Sequence, residues 1–359
     1  MGPGPFVDLI IPVHDLSRPV RRAVASALDG VDADEVRVTV VCHGLAAGPV
    51  REKLAGLDPS MLRIVEFSDG VRSPAGPFNH GASLASAPYL SVMGSDDFLE
   101  PGAMRSWIDK ARSLGSEAAL ARLRYQDGDK LDNPLPRAGR TERLDAVRDR
   151  LFYRSAPLGL LATSRVAELG PLFIEGAPVG GDLNFGARLW SSGARIDYLR
   201  DEPCYVIGSD AESRVTTQKR PVREPMAALL DLVARNWVAF LGPRQKRALA
   251  IKLIRIHIIG ALTSRPHRTD WDGTDLADLA TTLGTILALA PAAPRPFARS
   301  DRALLDATLD DTATPASIEA AIARRAAAGR FRQLMPRNPL YLVDREGTLA
   351  RYILYKVGS

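Results

Sequence analysis

Tyr89-Leu90-Ser91-Val92-Met93-Gly94-Ser95-Asp96-Asp97-Phe98-Leu99-Glu100-Pro101 decides how this chain is read. An apolar run from Tyr89 to Met93 has the length and composition of a buried strand. It stops at a glycine, and two adjacent carboxylates follow at once. Burying charge is costly unless the charge is paired or bound to a metal. A strand end with two carboxylates therefore suits a divalent cation that bridges phosphate oxygens, because hard cations prefer oxygen ligands. A turn or a helix cap is the plainer alternative, since Asp is common at both.

Outward from this stretch the first half alternates strands and helices. Val7 to Val13 reads as a buried strand, Val36 to Val41 as a second and Arg63 to Phe67 as a third. Ser17 to Leu28, Asn79 to Ser86 and Ala103 to Leu114 carry helical spacing. The alternation predicts a mostly parallel sheet with helices on both faces. Ligands of such sheets bind beyond the carboxyl ends of the strands. The residues to watch are then His14 and Asp15, Cys42 and His43, and Ser95, Asp96 and Asp97. Gln126 to Gly139 is rich in Asp, Gly and Pro and reads as a loop. Asp182 to Ser192 looks helical, and Arg195 to Leu199 and Cys204 to Ile207 look like short strands. From Pro225 onward strand signals nearly vanish. Pro225 to Leu241, Arg244 to Ser264, Asp275 to Leu289 and Pro315 to Ala328 read as helices. The expected organisation is an α/β domain over residues 1–220 and a smaller helical domain over 221–359.

The chain has 359 residues, of which 46% are apolar and 25% charged, a globular composition. The formal net charge of +5 reads as modest and diffuse; it fits anionic ligands without indicating nucleic acid. Two cysteines, Cys42 and Cys204, exclude a disulfide framework and point to a reducing cytoplasm. Met1 to Pro5 does not read as a signal peptide, and no apolar window is long enough to span a bilayer.

Three blocks in order carry a resemblance. Phe78-Asn79-His80-Gly81 precedes the Tyr89 to Pro101 stretch, Ile10-Ile11-Pro12-Val13-His14-Asp15 opens the domain, and Gly180-Gly181-Asp182-Leu183 runs on to Arg188-Leu189. Together they resemble the inverting GT-A glycosyltransferases of the family 2 type, over about residues 6 to 217. The resemblance implies a GT-A (Rossmann-like) nucleotide-sugar-binding domain followed by a smaller α-helical domain. It implies a nucleotide-sugar donor, a UDP-sugar first, and a hydroxyl acceptor such as a glycan, a lipid-linked glycan or a small-molecule glycoside. It implies Asp182 as catalytic base. Pro12, His14, Asp15, His43, Asn79, Gly81, Ser95, Asp96 and Asp97 fall to the nucleotide side, and Asp96 and Asp97 to a divalent metal, Mn²⁺ or Mg²⁺.

The chain departs from the family pattern at several points. Gly94 stands where the first Asp of D-x-D is usual. His43 stands where an Asp commonly reads the uracil edge. Phe78 replaces an Arg, Gly181 replaces a Glu, and Val206 sits where a metal-ligating His is frequent. These losses are open to three readings: a weaker metal site, a different nucleotide, or a degenerate enzyme. Gly94, His43 and Val206 favour the rival reading, a degenerate nucleotide- or sugar-binding protein of the same fold, and Asp96 and Asp182 oppose it. A nucleotidyltransferase would need a Gly-rich phosphate loop after the first strand, and His14 to Val20 has none. Arg244 to Ile259 reads as a basic amphipathic helix. It suits either ordinary packing and homo-oligomerisation or a peripheral contact at the inner membrane face.

Overall fold

The computed structural model describes residues 4–358 except 129, 132, 178 and 211–219, with backbone alone at 357 and 358. The chain divides into two compact units, residues 1–217 and 218–359.

The first unit is built on a seven-stranded sheet. Its strands are β1 (Val7–Val13), β2 (Val36–His43), β3 (Leu62–Phe67) and β4 (Tyr89–Val92). A two-residue strand β5 (Phe98–Leu99) follows, then β6 (Ala118–Ala121), β7 (Leu123–Tyr125), β8 (Lys130–Leu131), β9 (Gly159–Ala162), β10 (Ile196–Leu199) and β11 (Tyr205–Ile207). The order in the large sheet is β10-β6-β9-β4-β1-β2-β3, with β9 antiparallel to β4 and β6. A second sheet has the order β5-β11-β7-β8.

The chain runs outward from β1 to β2 and β3, then returns to pair β4 against the other side of β1. This reversal makes the carboxyl ends of β1 and β4 a topological switch point, where open α/β sheets bind ligands. Asp8 ties the same strands together. Its buried carboxylate accepts from Arg37 Nε at 2.7 Å and from the amides of Ser86 and Ala87. Burial opposes its ionisation, but these hydrogen bonds outweigh burial and hold its carboxyl below the usual range.

The expected strands β1 to β4, β10 and β11 are all present; β5 to β9 are additional, and β8 falls inside the Gln126 to Gly139 stretch expected as a loop, where it pairs with β7. The helix expected from Asn79 begins earlier, at Ala75, and ends at Ser83. Gly76 and Pro77 look like a turn in sequence, yet the first helical turn has no use for the proline's missing N–H. Ser73 Oγ accepts from Ala75 N at 3.3 Å, which satisfies one of the exposed amides there.

The second unit is helical among its described residues, with helices including Arg223–Ala234, Pro243–Lys252, Asp275–Leu289, Arg299–Thr308 and Pro315–Ala326. The long helix expected over Arg244 to Ser264 is interrupted by a π turn, Leu253–Ile258. Leu249, Ala250, Ile251, Leu253, Ile254 and Ile258 are buried within this unit. Most of its apolar face is thus spent on packing, while Ile256 stays exposed. Among the described residues no helix is long and apolar enough to cross a membrane.

Candidate functional site

The acidic stretch forms a tight turn at the end of β4, with the Asp97 amide donating to the Gly94 carbonyl at 3.1 Å. The two carboxylates then part ways. Asp97 turns inward. It accepts from the Tyr205 hydroxyl at 2.5 Å and from the Gly208 amide at 2.9 Å. Burial raises its carboxyl above the usual range, against the lowering effect of those two bonds. Asp96 instead meets Arg18, whose Nη1 lies 2.7 Å from Oδ2. Arg22 holds the same turn from behind, donating to the Asp96 carbonyl at 2.6 Å and pairing with Asp210.

Two glycines make this arrangement possible. A Cβ on Gly94 would sit 2.7 Å from Asp97 Oδ2 and 3.0 Å from Asp96 Oδ1. A Cβ on Gly208 would sit 1.9 Å from the Asp96 carbonyl oxygen. The glycine in place of the first acid leaves room for the carboxylates of the two acids that remain.

At the end of β1, Asp15 Oδ1 accepts from Ser17 N at 2.8 Å, which shapes the turn leading to Arg18. Hydrogen bonding to Ser17 also keeps the Asp15 carboxyl low. His14 is exposed at that corner; partial desolvation and then the Arg18 charge depress its imidazole. Pro12 is half-buried and pairs with Val41 of β2. Ser95 is buried. Cys42 is also buried, packing as a small apolar residue of the core.

At the end of β2, His43 Nε2 lies 2.8 Å from Asp69 Oδ1, and the same oxygen accepts from Val71 N. Those bonds, the Val71 one first, lower the Asp69 carboxyl. Gly76 leaves room for it, since a Cβ there would lie 2.1 Å from Asp69 Oδ2. Phe67 stacks on His80 with ring centroids 4.6 Å apart, and His43 lies 5.8 Å from Phe67 on centroids. A carboxylate, an imidazole and an aromatic ledge thus gather beyond β2 and β3.

Asn79 and Gly81, expected on the nucleotide, have structural duties. Asn79 Nδ2 donates to the Phe173 carbonyl at 2.8 Å and its Oδ1 accepts from Phe173 N at 3.1 Å. Phe78 stacks on Phe173 at 4.7 Å. Gly81 is buried against the sheet, where a Cβ would lie 2.3 Å from Ile10 Cγ2. Gly81 brings the helix Ala75–Ser83 onto β1 and β2, and Asn79 pins the 171–182 loop to that helix.

That loop delivers Asp182. Ile174 N donates to the Gly181 carbonyl at 3.0 Å, and Gly180 has φ of +72°, a left-handed turn suited to glycine. Asp182 occupies the N-cap position of the helix Leu183–Ser191, but its side chain makes no capping hydrogen bond. Arg188 Nη1 donates to the Leu169 carbonyl at 2.5 Å and fixes the far side of the same helix.

A divalent cation needs several oxygens at once. Each Asp97 oxygen accepts one hydrogen bond, and Asp96 Oδ2 meets Arg18, so a cation at this turn would share these oxygens with Tyr205, Gly208 and Arg18. Among the described residues no group of three His, Cys, Asp or Glu side chains is placed to hold a metal. Val206 is buried inside β11, and residues 211–219 that follow lie outside the described residues.

Arg18, Arg22, Asp69 and Tyr205 were not legible as site residues. The arginine cluster in the turn after β1 was a usable signal; Asp69 and Tyr205 gave none, because their partners lie 26 and 108 residues away in sequence.

No protein-family model matches the chain. A curated relative, the succinoglycan biosynthesis protein ExoO of Rhizobium meliloti (strain 1021), is 26% identical over 121 residues. That match covers 33% of this chain and 33% of ExoO, so the chain matches about a third of that relative's length. Among solved structures, S. aureus TarS 1–349 in complex with UDP-GlcNAc superposes with a TM-score of 0.69 at 14% identity, covering 89% of this chain and 91% of that one. TarS 1–349 in complex with UDP gives 0.66 at 14% identity over the same shares. The chain therefore has the fold of the GT-A glycosyltransferases.

Proposed function

We propose that this chain is an inverting glycosyltransferase that moves a sugar from a nucleoside diphosphate sugar, a UDP-sugar first, to a hydroxyl acceptor. The observation that carries this reading is the Gly94–Asp97 turn at the β1/β4 switch point, with Arg18 and Asp96 at its surface. The likeness to UDP- and UDP-GlcNAc-bound structures supports a uridine donor. The base would lie against Phe67, His43 and Asp69, and the diphosphate near Arg18. Arg18 can turn from Asp96 to a phosphate oxygen, since a guanidinium matches both anions.

Asp182 acts as general base in this reading. Its carboxylate takes the proton of the acceptor hydroxyl while that oxygen attacks the anomeric carbon from the face opposite the diphosphate. One displacement inverts the configuration. A divalent metal on Asp96, when bound, would neutralise charge on the departing diphosphate. Asn79 holds the 171–182 loop, and hence Asp182, in place. Asp97 stays inward and keeps the turn in shape.

A screen of nucleotide sugars for released nucleoside diphosphate, with and without Mn²⁺, tests this directly. Donor hydrolysis or transfer by the wild type, lost in Asp182→Asn, is the expected result. The rival is a degenerate binding protein, favoured by the glycine that stands in place of an acid at position 94. It predicts nucleotide binding with no turnover of any donor.

A further inference from the structure

We infer that the second unit carries a binding groove for a soluble chain of repeating anions, phosphate or carboxylate. The net charge is less diffuse than it first reads. Residues 218–359 hold 22 of the 47 Lys and Arg but only 13 of the 42 Asp and Glu. Part of this excess converges on one place. Arg299, Arg324, Arg325, Arg332 and Arg337 line a cleft of about 380 Å³. They come from three helices and the segment after them, so no single helix explains their meeting. Helix-end electrostatics accounts for Arg324 and Arg325, in the last turn of Pro315–Ala326, and for Arg332, in the last turn of Arg330–Leu334, but not for Arg299 or Arg337.

The countercharge is small. Asp301 pairs with Arg325 at 2.7 Å, and Asp306 pairs with Arg337. Among the described residues Arg299, Arg324 and Arg332 make no ion pair. Arg299 is nonetheless held in place. It donates to the Pro336 and Arg337 carbonyls and lies over the Phe331 ring, 5.4 Å from its centroid. A guanidinium so fixed loses little entropy on meeting an oxyanion, and its fork suits phosphate or carboxylate. Clustering more cations than acids costs stability, a cost that a bound anion offsets.

The ligand is extended rather than a single ion. A second cleft, of about 490 Å³, shares Ser300 and Arg325 with the first and adds Arg330, Gln333 and Tyr352. The two form a groove with cations in both halves. Ala303, Ala321 and Ala328 line the first half and Tyr352 is the one aromatic lining the second, short of the run of rings on which single-stranded nucleic acid stacks. A concave groove also does not match a flat bilayer.

The test uses the full chain. Inorganic polyphosphate and oligogalacturonate are titrated against wild type, Arg324→Glu/Arg332→Glu and a control, Arg244→Glu/Arg268→Glu, which makes the same charge change at exposed sites of the same unit. The expected result is salt-sensitive wild-type binding to one or both, weakened about tenfold or more in the first pair and little in the control. The two probes show which anion is preferred. Absence of binding, equal loss in the control, or tighter binding of oligothymidylate or phosphatidylglycerol vesicles overturns the proposal. Nucleoside diphosphate affinity, measured in the same variants, stays at the wild-type value. Failure here therefore leaves the transferase reading standing, and the converse holds.

Discussion

Arg18 and Asp96 form an ion pair, 2.7 Å between Nη1 and Oδ2, at the sheet's switch point. The side chains are only 10% and 16% exposed, so the pair is partly shielded from water. An incoming diphosphate competes with Asp96 for Arg18, and a metal competes with Arg18 for Asp96. In Arg18→Gln, Mn²⁺ should bind the nucleotide-free protein more tightly, and nucleoside diphosphate should bind about tenfold more weakly. Calorimetry of each ligand alone checks this. Unchanged Mn²⁺ affinity in Arg18→Gln would show that Arg18 does not guard Asp96.

Asp182→Asn keeps the size of the side chain at a position that makes no capping bond. Folding and nucleotide affinity should match wild type, while transfer falls by about 10²- to 10⁴-fold. Initial rates with a saturating donor measure it. Transfer within a few-fold of wild type would remove the base assignment.

Asn79→Ala frees both the Phe173 amide and its carbonyl. Leaving such groups unpaired costs about 1–3 kcal/mol each when buried and less at the half-buried Phe173, so a modestly lower melting temperature is expected. Transfer should fall while nucleotide affinity stays near wild type, because Asn79 acts through the loop that carries Asp182. Loss of nucleotide affinity instead would assign Asn79 to the donor.

Asp69 supplies a carboxylate beside His43, where the family pattern has an Asp at the end of the second strand. Asp69→Ala should flatten the preference among nucleoside diphosphates to within a few-fold. Competitive titration of UDP, GDP, CDP and ADP against wild type and variant reads this out. A preference that survives the substitution would place base reading elsewhere.

His257 sits in the π turn with Nε2 2.8 Å from Lys252 Nζ. Burial, then the Lys252 charge, pushes its imidazole well below the ordinary value of about 6.5. The folded protein keeps it neutral, whereas the unfolded chain takes a proton below that pH. Stability should therefore fall between about pH 7 and pH 5, by up to about 1.4 kcal/mol per pH unit. His257→Gln retains an acceptor for Lys252 and should lose that slope in denaturant melts. An unchanged slope would place the titrating group elsewhere.

The strands with strong β-branched runs were legible because a parallel sheet buries both faces and needs continuous apolar sequence. Ala118–Ala121 escaped notice because alanine has little strand preference, and its place between β9 and β10 comes from pairing alone. Gly159–Ala162 is short, and its antiparallel setting between β4 and β6 is a choice of the tertiary fold. Gly76-Pro77 hid a helix start behind a turn signal.

The sequence by itself determined the α/β alternation, the acidic turn after β4 and the glycine pair before Asp182. Each is a local matter of periodicity, strand ends and backbone freedom. Only the tertiary structure decided that Asp97 turns inward to Tyr205 while Asp96 faces Arg18. It also turned Asn79 into the clamp of a loop 94 residues away in sequence and gathered five arginines into one cleft. A side chain's partner depends on which strands and loops fold beside it, and long-range contacts leave no periodic trace in the chain.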